Sequence, residues 1–234
     1  MLTLRTIDFH GPETRAPPLR DDEAHIWVIA LDTDAPERLG GLSAAERSRA
    51  SCFTSASARK RFVHRRCALR AVLSRYTGRC ASTMAFKENP YGKPELEPHS
   101  DVAFSVSHSE SLALVALTRH ALIGVDVERV RPDATEAGIA ERFFTRNEAR
   151  SLARLNDADR VTAFFNAWTR KEAILKAIGC GLSVSLDAFE VTLKPGEAPA
   201  LLEWNVPGVR RRTWQLEHFE PRPGYVAALA ITPR

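Results

Sequence analysis

Phe144-Thr145-Arg146-Asn147-Glu148 repeats, 102 positions further along the chain, the chemistry of Leu42-Ser43-Ala44-Ala45-Glu46. In both, a hydroxyl residue stands three places before a glutamate, so hydroxyl and carboxylate can each take a free backbone N–H at a helix start. Each signal precedes a long segment of helical period. Arg59 to Tyr76 has apolar or aromatic side chains at 62, 63, 69, 72, 73 and 76 and stops at Thr77-Gly78; the second runs from about Asp159 to Ile178 and stops at Gly179-Cys180-Gly181. Phe62 with Phe164, Ala71 with Ala173 and Leu73 with Leu175 keep the offset of 102, which reads as a duplication needing no gap. A period near 100 is too long for a solenoid repeat, so the expectation is one α+β unit occurring twice. Two such subdomains would be related by a pseudo-twofold axis, with a site in the cleft between halves 1–118 and 119–234.

Around these helices lie short runs rich in β-branched and aromatic residues, which read as strands. They are Ala24 to Leu31, Val102 to Ser107, Leu112 to Thr118, Ala121 to Glu128, Arg212 to Phe219 and Tyr225 to Thr232. The short turns joining Val102 to Glu128 predict an antiparallel meander of three strands.

Composition narrows the function classes. With 44% hydrophobic residues in 234, the chain can bury a core. No run reaches the roughly 20 apolar residues of a spanning helix, and Arg5, Asp8, His10, Glu13 and Arg15 occupy the place of a signal peptide's apolar run. The expectation is a cytoplasmic protein with no membrane partner. Cys52, Cys67, Cys80 and Cys180 lack metal-site spacing and read as reduced, semi-buried side chains. A net charge of +4 admits anionic partners without demanding nucleic acid. Serine-nucleophile elbows, H-E-x-x-H and Walker A motifs do not occur.

Three constellations carry chemistry. In Ile123-Gly124-Val125-Asp126-Val127-Glu128, strand alternation puts Asp126 and Glu128 on one face, roughly 7 Å apart at their Cα atoms. Two desolvated carboxylates repel, and a hard divalent cation relieves them. In Trp168-Thr-Arg-Lys-Glu172-Ala-Ile-Leu-Lys176, Glu172 and Lys176 stand at i and i+4 on one helix face, while Trp168, Ile174, Leu175 and Ile178 mark the face to be buried. Tyr91-Gly92-Lys93-Pro94 holds an ammonium on a tight loop, and Ser107 and His108 add donors at a strand end. Arg49 and Arg61 belong with Lys60, Arg65, Arg66 and Arg70 to a basic set that reads as a solvated face, and Arg210 to Arg212 read as a solvated loop. An alternative of another class, a nucleic-acid-binding module on the Arg59 to Arg70 helix, is disfavoured because aromatic residues are not interleaved with the arginines.

Taken in order, Tyr91 to Pro94, Phe104 to Ser109, Ile123 to Glu128 and Trp168 to Leu182 closely resemble the signatures of the 4′-phosphopantetheinyl transferases. The similarity spans about residues 42 to 190. It is to the larger, pseudo-dimeric class that activates surfactin-synthetase-like carrier domains in polyketide and nonribosomal peptide biosynthesis. The resemblance implies that fold, and transfer of the phosphopantetheine arm of coenzyme A to a serine of an apo carrier protein (acyl, peptidyl or aryl), releasing adenosine 3′,5′-bisphosphate. It implies Mg²⁺, with Mn²⁺ as a substitute, held by Asp126, Glu128 and Glu172. Glu172 also matches the position assigned as general base, and Lys176 the lysine at the phosphate. Arg49, Arg61, Lys93, Ser107 and His108 match positions around the nucleotide of coenzyme A. Glu110 departs from the pattern, because glycine often follows the His-Ser pair, and is expected to point away from the phosphates. The positive net charge suits an acidic carrier protein, and the duplication suits a monomer. A non-catalytic homologue that binds coenzyme A or carriers is disfavoured by intact Asp126, Glu128, Glu172 and Lys176.

Overall fold

The computed structural model of the chain describes residues 1–33, 39–131 and 138–233. It is a mixed α/β protein of two compact units. One comprises Met1–Asn89 with Pro94–His120, the other Pro90–Lys93 with Ala121–Arg234. Among the described residues, no helix is long and apolar enough to cross a membrane.

In the first unit, β1 (Thr3–Asp8) lies parallel to β2 (Glu23–Ala30), and the sheet continues antiparallel through β6 (Leu112–Arg119) to β5 (Val102–Ser109). Between β2 and β5 the chain forms α1 (Ala44–Ser51), α2 (Ala56–Thr77) and the ladder of β3 (Ala85–Glu88) with β4 (Pro94–Glu97). The apolar stripe of α2, Leu69, Val72 and Leu73, packs on Trp27 and Ile29 of β2. Beside it, the Tyr76 hydroxyl accepts from Trp27 Nε1 at 3.0 Å and lies 2.8 Å from Nδ1 of fully buried His25.

The second unit repeats the order from β2 onward, without a counterpart of β1 among the described residues. Its first strand β7 (Ala121–Arg129) is followed by α3 (Ile139–Phe143), α4 (Arg146–Ala153), α5 (Asp157–Ile178) and the ladder of β8 (Phe189–Val191) with β9 (Leu201–Trp204). Then β10 (Gln215–Phe219) and β11 (Tyr225–Pro233) complete a sheet in the order β10-β11-β7. In both units the last strand lies antiparallel between the strand that precedes the helices and the next-to-last strand, as β6 between β2 and β5 and as β11 between β7 and β10. The two units therefore share this order of elements, and both capping boxes form.

Several expectations need correction. The strand at Ala121 does not extend a meander. It pairs with β11 instead of β6, because His120 turns the chain at φ +55° and the next strand enters the other sheet. The duplication is also not gapless. The caps Ser43 and Thr145 differ by 102 positions, but Ser55 and Asn156, which cap the long helices, differ by 101, the connection in the second unit being one residue shorter. The strand expected from Arg212 starts at Gln215. All four cysteines are free thiols, but Cys52 and Cys80 are exposed instead of semi-buried.

The arginines of α2 are not simply a solvated face either. Arg70 is buried and donates Nε to Glu46 Oε2 at 2.7 Å, and Arg66 pairs with the other oxygen. Arg61 holds Asp32 through Nε and Nη2, each at 2.6 Å. Glu46 thus caps α1 through the Ser43 N–H at 2.8 Å and ties α1 to α2 with the same carboxylate. Burial alone would raise this carboxyl, but the Ser43 N–H and the two guanidinium groups outweigh it and hold the group below its ordinary 4.5. Its stabilisation is present above that value and lost as pH falls through the lower folded one. Glu46→Gln should therefore cost roughly 3 kcal/mol at neutral pH, the scale of breaking a buried pair. In urea unfolding followed by circular dichroism, the gap from the unsubstituted protein should narrow as pH falls through the lowered pKa of Glu46.

Candidate active site

The site grows from the contact of α5 with β7. Alternation puts Gly124, Asp126 and Glu128 on the face of β7 that α5 covers, opposite Ala230, Ala228 and Val226 of β11. Small residues let the helix come close, with Ala173 and Ala177 of α5 in the same core as Ala228 and Ala230. At Gly124 the approach is closest: a Cβ there would stand 1.9 Å from the Ala173 carbonyl oxygen and 2.4 Å from the Ala177 nitrogen. Only glycine fits, because backbone cannot retreat as a flexible side chain can.

This closeness brings the charged residues of the two elements together. Asp126 is buried, and its Oδ1 accepts from Lys176 Nζ at 2.6 Å. Glu172 and Glu128 are half-buried. Burial pushes the Glu172 carboxyl up; Asp126 and Glu128 push it further and Lys176 opposes them. Three acids from two distant segments therefore share one electrostatic environment. The i, i+4 spacing of Glu172 and Lys176 does not make a plain surface pair here, since Lys176 reaches across to the strand.

The loop of Tyr91 to Pro94 joins this unit at its edge. Lys93 Nζ donates to the carbonyls of Ile123 at 3.3 Å and Ala177 at 3.0 Å, bridging β7 and the last turn of α5. Gly181, at φ +51°, comes so near this loop that a Cβ would meet the Tyr91 carbonyl oxygen at 3.0 Å. The helix itself ends on Gly179 in the left-handed conformation, whose N–H donates to the Leu175 carbonyl.

The remaining sequence-derived residues lie in the first unit. Arg49 is exposed on α1 with its guanidinium 5.8 Å from the Phe62 ring centre, and Arg61 is the partner of Asp32 described above. On β5, Ser107 is buried and His108 exposed, as alternation requires. Glu110 is exposed at φ +47°, so it occupies a turn position that suits glycine, and its side chain is in solvent.

Sequence reasoning missed the buried cations of α5. Lys171 is fully buried, donating to the Leu186 carbonyl at 2.7 Å, to the Phe189 carbonyl, and to Glu148 Oε2 at 2.8 Å. Arg170 donates to the Thr192 carbonyl at 2.5 Å and to its hydroxyl at 3.0 Å. These anchor the helix turn that carries Glu172. The N3 position of Glu148 was a usable signal, because its counterpart Glu46 also binds a cation of the following helix.

The donor set of Asp126, Glu128 and Glu172 is all carboxylate oxygen, which suits a hard divalent cation. Among the described residues, no three carboxylate, imidazole or thiolate side chains close on a common point, and the cation seated on Asp126 is the Lys176 ammonium.

Comparison with known proteins shows the family of the chain. The family model "4'-phosphopantetheinyl transferase superfamily" matches residues 122–230, which include Asp126, Glu128, Glu172 and Lys176. The 4′-phosphopantetheinyl transferase HetI of Nostoc sp. strain PCC 7120 is 36% identical over 219 residues, 91% of this chain and 89% of that protein. Sfp of Bacillus subtilis strain 168, also a 4′-phosphopantetheinyl transferase, is 33% identical over 164 residues, 65% of this chain and 72% of its own. The chain belongs to the 4′-phosphopantetheinyl transferase family. A crystal structure of a holo-(acyl-carrier-protein) synthase from Bacillus anthracis str. Ames in complex with CoA (3′,5′-ADP) aligns at a TM-score of 0.38 and 22% identity, covering 48% of this chain and 96% of that one.

Gly124→Ala should destabilise the protein by about 3 kcal/mol or more, at the upper end for an overpacked interior. Denaturant unfolding checks this; a variant as stable as the parent would show that α5 does not lie so close to β7.

Proposed function

We propose that this chain transfers 4′-phosphopantetheine from coenzyme A to a serine hydroxyl of an apo carrier protein, with adenosine 3′,5′-bisphosphate as the second product. The observation that carries the reading is the Lys176–Asp126 pair where α5 covers β7, with Glu172 within electrostatic reach of Asp126, Glu128 and Lys176, in a chain of this family. Asp126, Glu128 and Glu172 would hold Mg²⁺ or Mn²⁺. When bound, the ion would withdraw charge from diphosphate oxygens and so stabilise both the attacked phosphorus and the departing phosphate.

The chain's own residues supply the rest. The serine oxygen forms a bond to the β-phosphorus of coenzyme A, and the bond from that phosphorus to the bridging oxygen breaks. Glu172 is assigned to receive the hydroxyl proton, directly or through water. Lys176 then neutralises the charge left on the departing phosphate. Lys93, Ser107, His108, Arg49 and Arg61 are assigned to the nucleotide. The carbonyls that hold Lys93 fix where its charge stands, whereas Arg61 would have to share its guanidinium with Asp32. The repeated order of elements in the two units supports the larger, duplicated class, with halves 1–118 and 119–234 as its proposed domains. An excess of positive charge supports an acidic carrier as partner.

Incubation with coenzyme A, Mg²⁺ and a panel of apo acyl, peptidyl and aryl carriers should add about 340 Da to one of them by mass spectrometry. Chelation should stop the reaction. Glu172→Gln should slow it by roughly 10²–10⁴-fold while leaving the circular dichroism spectrum unchanged. No mass gain on any carrier would overturn the proposal.

A further inference from the structure

The Lys176–Asp126 pair has a buried end and an open end. The Asp126 side chain is 5% exposed and that of Lys176 30%, so the carboxylate is fixed in the interior while the ammonium arrives from the solvent side. Asp126 stands on β7 with Glu128 on the same strand face, and Glu172 of α5 lies within electrostatic reach of both. A long lysine stem can leave such a contact at little steric cost. The aspartate, on a strand locked between α5 and β11, cannot follow it.

The geometry points to Lys176 as an internal competitor for the divalent cation. This inference rests on the metal reading above. An ammonium 2.6 Å from Asp126 Oδ1 stands where a cation bound to that oxygen would have to approach, and two cations at such separations repel strongly in a partly buried site. Lys176 therefore neutralises Asp126 in the protein without coenzyme A and lowers the site's apparent affinity for metal by the fraction of time it stays on Asp126. When the metal takes the carboxylate, the ammonium is released toward solvent, where an anion can use it. A diphosphate supplies that anion. Metal and coenzyme A should thus each strengthen the binding of the other, with Lys176 as one carrier of that reciprocity.

The test uses the full chain without coenzyme A and Mn²⁺ as the probe. Binding is read from the loss of the free-ion electron paramagnetic resonance signal. Lys176→Met should bind Mn²⁺ more tightly than the parent, on the order of tenfold, whereas Lys176→Arg, which keeps a cation on Asp126, should stay within about twofold of it. Asp126→Asn should bind far more weakly than either. In the unsubstituted protein, Mn²⁺ should speed acylation of Lys176 by an amine reagent, followed by mass spectrometry, and adding coenzyme A should slow it again.

Unchanged or weaker binding in Lys176→Met would overturn the competition; if Asp126→Asn still lost the ion, the metal assignment would stand without it. Binding by Asp126→Asn equal to the parent's would remove the metal assignment itself, and the competition with it. Tighter binding in Lys176→Met with no effect of Mn²⁺ on acylation would mean that only distant charge is at work, and would equally refute displacement.

Discussion

The site depends on how closely one helix can lie against one strand. A side chain at residue 124 would hold α5 away from β7, and the acids of the strand would then be out of reach of Glu172 and Lys176. Without a Cβ there, the helix backbone comes within contact of the strand, and Ala173, Ala177, Ala228 and Ala230 extend the same thin interface. Close packing fixes this distance far more stiffly than the charges could, because an interior at crystal-like density resists displacement in either direction. The arrangement of mutually repelling carboxylates is tolerated because packing enforces it.

Both units hold their long helix by a common device. The glutamate at the third position of the short helix accepts from its N-cap backbone and, through the same carboxylate, from a cation of the long helix: Glu46 with Arg70, Glu148 with Lys171. The second unit takes it deeper. Lys171 is fully buried and meets two carbonyls besides Glu148, and burial pulls its pKa down against the pull of that carboxylate. Such a pair adds little net stability when formed, but it is costly to break, so it selects one seating of the helix over others. That seating aims the next residue, Glu172, at the strand.

Much of the fold was legible locally. Capping boxes, the glycines ending the long helices and the apolar, β-branched runs of β2, β7 and β11 depend on neighbours within a few residues, which sequence displays directly. The pairing of β7 was not, since a run of apolar residues after a tight turn fits a meander or the start of a new sheet equally well. The burial of Arg70 and Lys171 was not legible either: a cation on a helix is ordinarily solvated, and its exception is visible only when the opposing carboxylate and carbonyls are in place. For the candidate site, spacing and family resemblance single out Asp126, Glu128, Glu172 and Lys176, whereas the need for glycine at 124 depends on a helix that is distant along the chain.

By itself the sequence determined the two helix-and-strand units, the family, and the identities of the acids and lysine, all of which follow from short-range patterns. Only the tertiary structure decided that Lys176 turns from its own helix face to Asp126, and that the strand at Ala121 belongs to the second sheet. Both are choices among partners distant along the chain. Such choices are settled by which backbones can approach closely enough, and that distance is a property of the packed interior, which no local pattern encodes.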